Sequence, residues 1–424
     1  KGEFMSTKEE QSFQTSQDFE NLSIFKPKTE KEISEFVKFC NKKNIPLEIK
    51  GLQSKKKIGR NFQSERVIDL SNYSGIVEYK PEELYIKVKA GTSLDEINNE
   101  LEKHNQYLAF EPNNFGYLFQ GKTNNGSIGG TIACNLSGSR RFKVGSARDH
   151  VLGIRVVNGK GEVIKSGGTV VKNVTGYDLS KIITGSFGTL AILTEISIKV
   201  LPKPPSLKTL IIHNAQLKKS LEYLSLSLSS SSDVSGAIFY PEYFKNIFTL
   251  NDLINKGPIT AIRIEGVTSS IQDRQNNLIK ELKLLNSEVN FLDQEQSKIF
   301  WKLTQDLKVF ENSKNSILKV VFPASQALKV LNNLKKSLYR YFIDWGGNLI
   351  WMEVENMNIN LFKEIKNVVD SCEGYTTIIK IDDSLKSSID IFKLDPIKYK
   401  ISEKLKQSFD PNRIFNPGKM YSGI

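Results

Sequence analysis

Glycine is concentrated in one part of this chain. Of its 28 glycines, 15 lie between Gly116 and Gly188, in clusters at residues 127–131, 135–138 and 185–189. Glycine loses more conformational entropy on folding than any other residue, so a protein gathers it where a side chain would obstruct the backbone. Close approach of the main chain to a large ligand is the usual reason, and backbone amides at helix starts favour phosphate. The clusters therefore predict the wall of a nucleotide cofactor site.

The side chains beside these glycines leave several roles open. Arg140 and Arg141 adjoin in a glycine-rich loop, where an anion site and plain surface charge are about equally good explanations. Asp149 and Asp178 are more typical of helix or turn caps than of catalysis. We expect Phe187 to pack in the core rather than to stack on a cofactor ring.

Local signals outline the elements that must position this site. Thr29 and Glu32 form a capping box before an amphipathic helix, and Ser93 opens a second helix. Residues 129–130 are predicted to form a tight turn, with Thr131 capping the segment that follows. Alternation of apolar residues predicts strands at 46–50, 66–70, 84–90, 151–157 and 191–201, with a hairpin turn at 159–161.

Pro202, Pro204 and Pro205 mark a predicted domain boundary. Beyond them, strands are predicted at 209–213, 237–240, 260–267, 317–322, 349–354 and 376–381, and helices at 272–285, 326–339 and 397–409. The predicted fold class is α+β, with a cofactor-binding domain of two α+β subdomains and an α/β cap domain. The expected segments are a loose arm at 1–23, the cofactor domain at 24–205, the cap at 206–395, and a helix and tail at 396–424 that return to the cofactor domain.

Composition limits the classes of partner. The 424 residues include 59 Lys and Arg against 47 Asp and Glu, a net charge of +12. The lysines are scattered, which favours a solvated basic surface over nucleic-acid binding. No segment has the apolar length of a membrane span, no signal-peptide core is found, and residues 1–4 before Met5 are expected to be a cloning remnant. Three distant cysteines predict a reducing compartment, the cytoplasm, and no metal site.

Several motifs in order resemble a known family. They occur at residues 111–112, 129–131, 138–141, 148–153, 172–179, 188–190, 344–347 and 409–419. These motifs are similar to those of the vanillyl-alcohol oxidase superfamily, whose FAD-binding domain is of the PCMH type, and within it to the smaller FAD-binding subunits of bacterial glycolate oxidase. The resemblance covers about residues 20–205 strongly and the cap only in general character.

The resemblance implies non-covalent FAD, because no His or Cys stands in an attachment motif. Its pyrophosphate would lie on the loop at residues 51–55, where the family prefers a glycine in place of Gln53. If φ is positive there, Gln53 costs about 1 kcal/mol or more. Ile196 would meet the adenine and Asn416 the flavin. The residues implied to bind FAD are Gly51, Leu52, Gln53, Ser54, Lys55, Pro112, Ser127, Ile128, Gly129, Gly130, Thr131, Asn135, Ser137, Gly138, Arg141, Gly188, Glu195, Ile196 and Asn416.

No catalytic residue is identified from the sequence. Oxidation of a 2-hydroxy acid by a flavin needs a base for the hydroxyl proton and a cation for the carboxylate. Larger catalytic subunits of related enzymes carry a histidine pair, whereas this chain has only His104, His150 and His213, without metal-ligand spacing. We therefore expect that the chain does not oxidise glycolate alone.

Two functions from different classes remain open. The first is a subunit of a glycolate-oxidising complex with a larger FAD-containing catalytic subunit and an iron–sulfur subunit, cytoplasmic and held at the inner face of the membrane through that complex. The second is a self-sufficient D-2-hydroxy-acid dehydrogenase in which Arg140, Arg141 or cap residues anchor the carboxylate. A basic nucleic-acid-binding protein is a distant third, since no nucleic-acid motif is found.

Overall fold

The computed structural model describes residues 19–119, 126–169, 178–242 and 257–424. The first described unit is a three-stranded parallel sheet in the order β1-β3-β2, formed by β1 (Ile24–Phe25), β2 (Leu47–Lys50) and β3 (Arg66–Asp69). Helix α1 (Glu30–Lys43) lies between β1 and β2 in the chain and buries its apolar face. Thr29 Oγ1 accepts from Glu32 N, and the Glu32 carboxylate accepts from Thr29 N. The predicted capping box is confirmed.

The second unit is a five-stranded antiparallel sheet in the order β4-β5-β9-β7-β8, with a separate pair formed by β6 and β10. The strands are β4 (Ile76–Lys80), β5 (Tyr85–Lys89), β6 (Gln106–Tyr107), β7 (Val151–Asn158), β8 (Val163–Gly167), β9 (Ala191–Lys199) and β10 (Leu201–Pro202). The predicted hairpin at 159–161 is confirmed, because β7 and β8 pair antiparallel around it with Gly161 at φ 76°.

Short helices connect these strands. They are α2 (Leu94–Glu102), α3 (Gly116–Phe119), α4 (Ile128–Cys134), α5 (Arg141–Val144), α6 (Ala147–His150) and α7 (Leu179–Ile183). The Ser93 Oγ accepts from Glu96 N and so begins α2, as predicted. Asp149 closes a capping box with Ser146 at α6, and Asp178 caps α7, which confirms the capping roles expected of both carboxylates.

The cap contains an eight-stranded sheet in the order β14-β11-β13-β12-β16-β17-β15-β18. Its strands are β11 (Ser206–His213), β12 (Val234–Tyr240), β13 (Ile259–Gly266), β14 (Val289–Leu292), β15 (Ser316–Val321), β16 (Arg340–Asp344), β17 (Leu349–Val354) and β18 (Tyr375–Lys380). Its helices and the tail helix are α8 (Leu217–Leu228), α9 (Thr268–Glu281), α10 (Gln294–Gln305), α11 (Ala327–Leu334), α12 (Ile359–Ser371) and α13 (Pro396–Phe409). Single 3-10 turns lie at Leu70–Asn72, Pro81–Glu83, Lys308–Phe310, Ala324–Gln326, Trp345–Gly347 and Asp383–Leu385.

The helix predicted over 326–339 is wrong in its last five residues, 335–339. Helix α11 ends at Leu334, and β16 begins at Arg340 and pairs with β17 over five consecutive residues. Residues 335–339 are the connection that leads into β16, and apolar spacing alone does not reveal where the helix must end, because the ladder of β16 with β17 depends on a partner that no local pattern shows. The short edge strand β14 and the helices α8, α10 and α12 also went unpredicted.

Two hydrophobic cores are found. One centres on the cap sheet and also takes in Phe115, Leu136 and Phe187 from the glycine-rich region. The other joins α1, the first sheets and the tail residues Phe409 and Phe415. The strand bounds support the proposed division near residue 205, since β10 ends at Pro202 and β11 begins at Ser206. Across the described residues, no helix combines the length and apolar character needed to cross a membrane.

The tail is fastened by a buried ion pair. Lys406 is fully buried, and its ammonium donates to Asp410 Oδ2 at 2.8 Å, to the Thr189 carbonyl at 2.6 Å and to the Phe415 carbonyl at 3.0 Å. The Asp410 carboxylate accepts in turn from Phe415 N at 2.8 Å. These contacts hold the residues after α13 against the first sheets, where the cleft described next is built.

Candidate functional site

The protein has a cleft whose empty volume, including the part that is open to solvent, is about 930 Å³. Four segments of the chain meet at this cleft. They are residues 48–56, which include the end of β2, the start and end of α4, residues 186–193, which lead into β9, and the tail at Asn416 and Lys419. The predicted site residues that line the cleft are Gly51, Leu52, Gln53, Ser54, Lys55, Ser127, Gly129, Gly130, Gly188 and Asn416. Two loops distant in the sequence are therefore brought to one surface.

These two loops touch each other through glycine. A Cβ on Gly51 would overlap the Ser127 Oγ, and a Cβ on Gly126, whose φ is 83°, would overlap the Ser54 Oγ. Each loop thus places a serine hydroxyl against a glycine of the other. Gln53 stands between these contacts at φ 63°, the left-handed region. The strain anticipated for Gln53, about 1 kcal/mol or more, therefore applies.

The turn predicted at Gly129 and Gly130 is wrong: both residues lie inside α4. Ser127 caps the helix, its Oγ accepting from Gly130 N at 3.3 Å, and Thr131 is an interior residue whose Oγ1 donates to the Ser127 carbonyl at 3.0 Å. Glycine is required at 129 for packing instead. A Cβ there would lie 2.8 Å from the Ala90 carbonyl oxygen, which follows β5.

This packing predicts opposite effects for two adjacent substitutions. Gly129→Ala forces the helix away from Ala90, so we expect the apoprotein to lose about 1–3 kcal/mol of unfolding free energy. Gly130→Ala meets only the Ser127 Oγ at 3.4 Å. It should gain about 0.5–1 kcal/mol, since alanine is the better helix former. Urea unfolding of both variants checks this, and a gain in both would show that α4 is free to shift.

Positive charge gathers at the cleft. Lys50 and Lys56 each pair with Glu48, with Nζ–O distances of 3.4 and 3.8 Å. Lys55 is 6% exposed, and its Nζ contacts Ser54 Oγ at 3.3 Å. Among the described residues, no carboxylate lies within 4.0 Å of the Lys55 ammonium. Burial lowers the pKa of Lys55, against an opposing effect of Cys134 and Asp306.

Lys419, which the sequence analysis missed, reinforces this charge. Burial lowers its pKa as well, and its Nζ donates to the Lys56 carbonyl at 3.3 Å. Lys55 is buried without a carboxylate among the described residues, and Lys419 is half-buried at the same cleft, so the pair favours a ligand with negative charge. The residues present therefore fit a pyrophosphate. Lys419 follows Asn416 by three residues in a proline- and glycine-containing turn, and only the turn signal could have drawn attention to it.

Asn416 lines the cleft with its side chain already engaged. Its Oδ1 accepts from Ile49 N at 2.9 Å, and its Nδ2 donates to the Phe187 carbonyl at 2.9 Å. A Cβ on Gly188, at φ 69°, would lie 2.8 Å from that Nδ2. Asn416 thus ties β2 to residues 186–193. Phe187 packs on Phe392 with ring centroids 4.8 Å apart, as expected of a core residue, and also lines the cleft.

The structure does not bring the remaining predicted residues to the cleft lining. The side chains of Ile128, Thr131 and Ile196 are buried in the protein interior. Asn135 ends α4 at φ 49°, and its Oδ1 accepts from Arg148 N at 3.0 Å. The Ser137 Oγ accepts from Ala147 N at 2.9 Å, which fixes the start of α6. These polar side chains are used for local backbone bonds, which short polar residues favour in turns.

Four more predicted residues face other parts of the molecule. The Pro112 carbonyl accepts from the Gln305 side chain of the cap. Gly138 packs on Glu111, and Glu195 pairs with Lys87 at 3.5 Å. Arg141 lies over the Trp345 ring, 4.5 Å from its centroid. The glycine-rich region thus contributes residues to the contact with the cap as well as to the cleft.

A buried quartet of charges joins that region to the cap. Glu111 Oε1 accepts from Arg140 Nη1 at 2.6 Å and from Arg263 Nη1 at 2.7 Å, while Arg140 also pairs with Glu265. Burial alone would raise the pKa of Glu111, but the two guanidinium groups hold it below its ordinary value. The anion that Arg140 binds is therefore a pair of carboxylates of the protein itself.

Asp344 is a second buried carboxyl at this interface. It accepts from Ser139 Oγ at 2.8 Å and from Trp345 N at 2.6 Å, and burial raises its pKa to about 7. In the folded state the carboxyl therefore keeps its proton up to about pH 7, whereas the unfolded chain loses it near about pH 4. The resulting penalty to stability is absent below about pH 4 and complete above about pH 7.

Asp344→Asn removes this titration and tests it. The unfolding free energy of the variant relative to the wild type should rise by about 2–4 kcal/mol between about pH 4 and pH 7 and then level off. Denaturant unfolding at a series of pH values measures the difference. A difference that does not vary with pH would place the Asp344 pKa at its ordinary value.

All three histidines lie within the described residues, away from the cleft lining. His150 is buried, with Nε2 at 3.1 Å from the Val144 carbonyl oxygen, His213 contacts Asn290, and His104 meets the edge of Tyr79. In the parts of the chain that the structure describes, no three His, Cys, Asp or Glu side chains gather as a metal site.

Comparison with known proteins gives the family. The glycolate oxidase subunit GlcE of Escherichia coli (strain K12) is 30% identical over 380 residues, which cover 89% of this chain and 93% of that protein. This chain belongs to the GlcE family. Residues 22–167 of the chain match the family described as FAD binding domain, which confirms FAD as the cofactor. That range includes the cleft segments 48–56 and 127–134.

Other relatives of this GlcE-family chain match over shorter stretches or in fold alone. D-lactate dehydrogenase of Anaerostipes hadrus is 35% identical over 182 residues, 43% of this chain and 36% of that protein. A solved structure of p-cresol methylhydroxylase with bound substrate covers 94% of this chain and 88% of its own, with a TM-score of 0.63 at 15% identity. One of alkyldihydroxyacetonephosphate synthase covers 93% and 75%, with a TM-score of 0.67 at 16% identity. The α+β fold class and the PCMH-type fold are confirmed.

Proposed function

We propose that this chain is the FAD-carrying smaller subunit of a complex that oxidises glycolate, or a closely similar 2-hydroxy acid, to the 2-oxo acid. The observation that carries the proposal is the cleft at Lys55 and Lys419, formed by two segments that the FAD-binding family match covers, by residues 186–193 and by the tail. Similarity to GlcE over 89% of the chain supports the choice of reaction. Bound FAD supplies a two-electron acceptor for the CH–OH group.

The chain's own residues have defined tasks in this proposal. The loops at 51–55 and 127–130 present their hydroxyls and the Lys55 ammonium to the pyrophosphate. Asn416 and Gly188 hold the far wall in place through the contact with Ile49. Cys134 lines the cleft, and burial raises the pKa of its thiol to about 11, so the group stays protonated. This supports a non-covalent cofactor, because the thiolate is the reactive form.

We propose that electrons pass to or from partner subunits, one a larger FAD-containing subunit and one an iron–sulfur protein. All three histidines lie away from the cleft, which supports a chain that depends on a partner for the proton-abstracting group. The three free cysteines support the cytoplasm as the compartment. The partners provide any attachment to the inner face of the membrane.

A self-sufficient D-2-hydroxy-acid dehydrogenase is the second candidate, favoured by the 35% identity to a D-lactate dehydrogenase over 182 residues. One anaerobic experiment separates the two. The purified chain is mixed with glycolate or D-lactate, and its visible flavin absorption is followed, alone and with the partner subunits added.

The expected result is a yellow protein that stays oxidised alone and bleaches with glycolate once the partners are present. Bleaching of the single chain by either acid would establish the self-sufficient enzyme instead. A colourless preparation that takes up no added FAD would contradict both candidates.

A further inference from the structure

The cap sheet carries a buried lysine that the cleft does not use. Lys319 lies on β15 and is 7% exposed, with its Nζ 4.7 Å from the centroid of the Trp345 ring and 5.8 Å from that of Trp351. The Arg141 Cζ lies 4.5 Å from the centroid of the same Trp345 ring. Two cations, one from the cap and one from the glycine-rich region, therefore share one indole.

The charges of this cluster do not balance. Among the described residues, neither the Lys319 ammonium nor the Arg141 guanidinium lies within 4.0 Å of a carboxylate, and neither donates a hydrogen bond. The adjacent carboxyl, Asp344, is oriented by Ser139 and by the Trp345 amide, and its burial disfavours ionisation. Burial lowers the pKa of Lys319 to about 7, and the nearby Arg141 adds to that effect.

Contact with the aromatic ring offsets part of this cost, since a cation over an indole gains about 0.5–2 kcal/mol. The rest of the cost is avoided if Lys319 loses its proton, which its lowered pKa allows, whereas an anion beside Lys319 and Arg141 would stabilise both in their charged forms. Among the described residues, Lys55 and Lys419 at the cofactor cleft also have no carboxylate within 4.0 Å, and FAD, the cofactor there, carries a pyrophosphate.

Fixed aromatic rings border the cluster. The Trp345 indole is fixed, because its Nε1–H donates to the Gly138 carbonyl at 3.0 Å. Trp351 is braced edge to face by Phe115, with ring centroids 6.3 Å apart. Flat, rigid aromatic walls suit a small planar carboxylate, which can accept from an ammonium and a guanidinium at once.

We propose that Lys319 and Arg141 bind the carboxylate of a small organic acid against Trp345. The identity of that acid as a 2-hydroxy acid rests on the proposed function, whereas the carboxylate site itself does not. The site is composite: β15 provides one cation, and α5 of the glycine-rich region provides the other. It therefore exists only when the cap is seated on the cofactor domain.

Oxalate is a suitable probe, because it carries carboxylates but no CH–OH group to oxidise. The chain has three tryptophans, and two of them, Trp345 and Trp351, lie at the proposed site. Titration of the FAD-loaded protein with oxalate should produce a saturable change in tryptophan fluorescence and a matching heat in calorimetry. Chloride at equal ionic strength controls for screening.

Lys319→Met and Arg141→Met should each weaken oxalate binding about tenfold or more, the effect of losing one charge-assisted hydrogen bond. Lys319→Arg keeps the positive charge and should still bind oxalate. Binding by this variant would show that the loss in Lys319→Met is not caused by a general loss of folding. Lys208→Met on β11 removes a lysine away from the cluster and should bind as the wild type does. Circular dichroism and the melting temperature verify that each variant is folded.

Two results would overturn the proposal: no saturable oxalate binding to the wild type, or equal binding to folded Lys319→Met. Neither depends on turnover. If oxalate binds through Lys319 while glycolate is never oxidised in the presence of the partners, the carboxylate site stands and the proposed function falls. If glycolate is oxidised and Lys319→Met binds oxalate normally, the proposed function stands and the carboxylate site falls.

Discussion

Replacing Glu111 by glutamine is expected to cost about 3–5 kcal/mol of unfolding free energy, the loss typical of breaking a buried ion pair by removing one partner. Glutamine has nearly the same size, so the change removes charge and leaves the packing. Arg140 and Arg263 would then face Glu265 alone, with one positive charge unbalanced in the interior. Guanidinium groups cannot shed that charge by losing a proton.

Guanidinium chloride would screen these charges, so urea unfolding is the appropriate measurement. Glu222→Gln is the matched control, because Glu222 pairs with Lys219 at 2.8 Å on an exposed face of α8. It should leave stability nearly unchanged, because exposed ion pairs contribute little. A loss for Glu111→Gln as small as that of Glu222→Gln would show that the quartet is hydrated in solution.

A charge-balanced double variant sharpens the argument. Glu111→Met with Arg140→Met removes one charge of each sign, and buried ion pairs replaced by apolar side chains are often neutral in stability. We expect the double variant to be less destabilised than the sum of its single variants. Trp301 packs on Arg263 at 4.4 Å, so its fluorescence should report any loosening of the cap in the single variant.

The elements that the sequence predicted correctly carry their signal within a few residues. The capping box at Thr29 and the hairpin at 159–161 depend on neighbours in the chain, and both were found. Strand β16 depends on β17 as its partner and was not predicted, and the apolar periodicity before it extended the predicted helix past Leu334 to residue 339. Local rules therefore predicted ends and turns better than they predicted which elements pair.

The site shows the same limit. The loop at 51–55 and the glycines of α4 were found from motifs, but the reason for Gly129, its contact with Ala90, was not. For Arg140 the sequence left an anion site and surface charge equally open, because its network spans distant parts of the chain: Arg263 lies 152 residues from Glu111. Lys319 carried no signal at all, since a single lysine in an apolar strand reveals its missing counter-charge only once neighbouring strands are placed.

The last prediction is that one substitution, Lys55→Met, has opposite effects on the stability of the apoprotein and on FAD binding. Lys55→Met should leave the apoprotein as stable as the wild type or more so, because it removes a buried ammonium that lacks a carboxylate partner among the described residues. The same change should weaken FAD binding about 10- to 100-fold, since it removes one charge-assisted contact to the pyrophosphate. Opposite signs are expected because the cost of burying Lys55 is offset only when the cofactor is bound.

Fluorescence titration of the apoprotein with FAD and the melting temperature without FAD measure the two effects separately. Lys56→Met is the control, because the Lys56 side chain is 51% exposed and pairs with Glu48. It should alter FAD affinity about fivefold at most. An apoprotein destabilised by Lys55→Met would mean that the ammonium has a partner within the fold, and unchanged FAD affinity would move the pyrophosphate away from residues 51–55. If loss of the Lys55 ammonium stabilises the apoprotein and weakens FAD binding, the side chain serves cofactor binding and not the fold. These two measurements decide between the two roles.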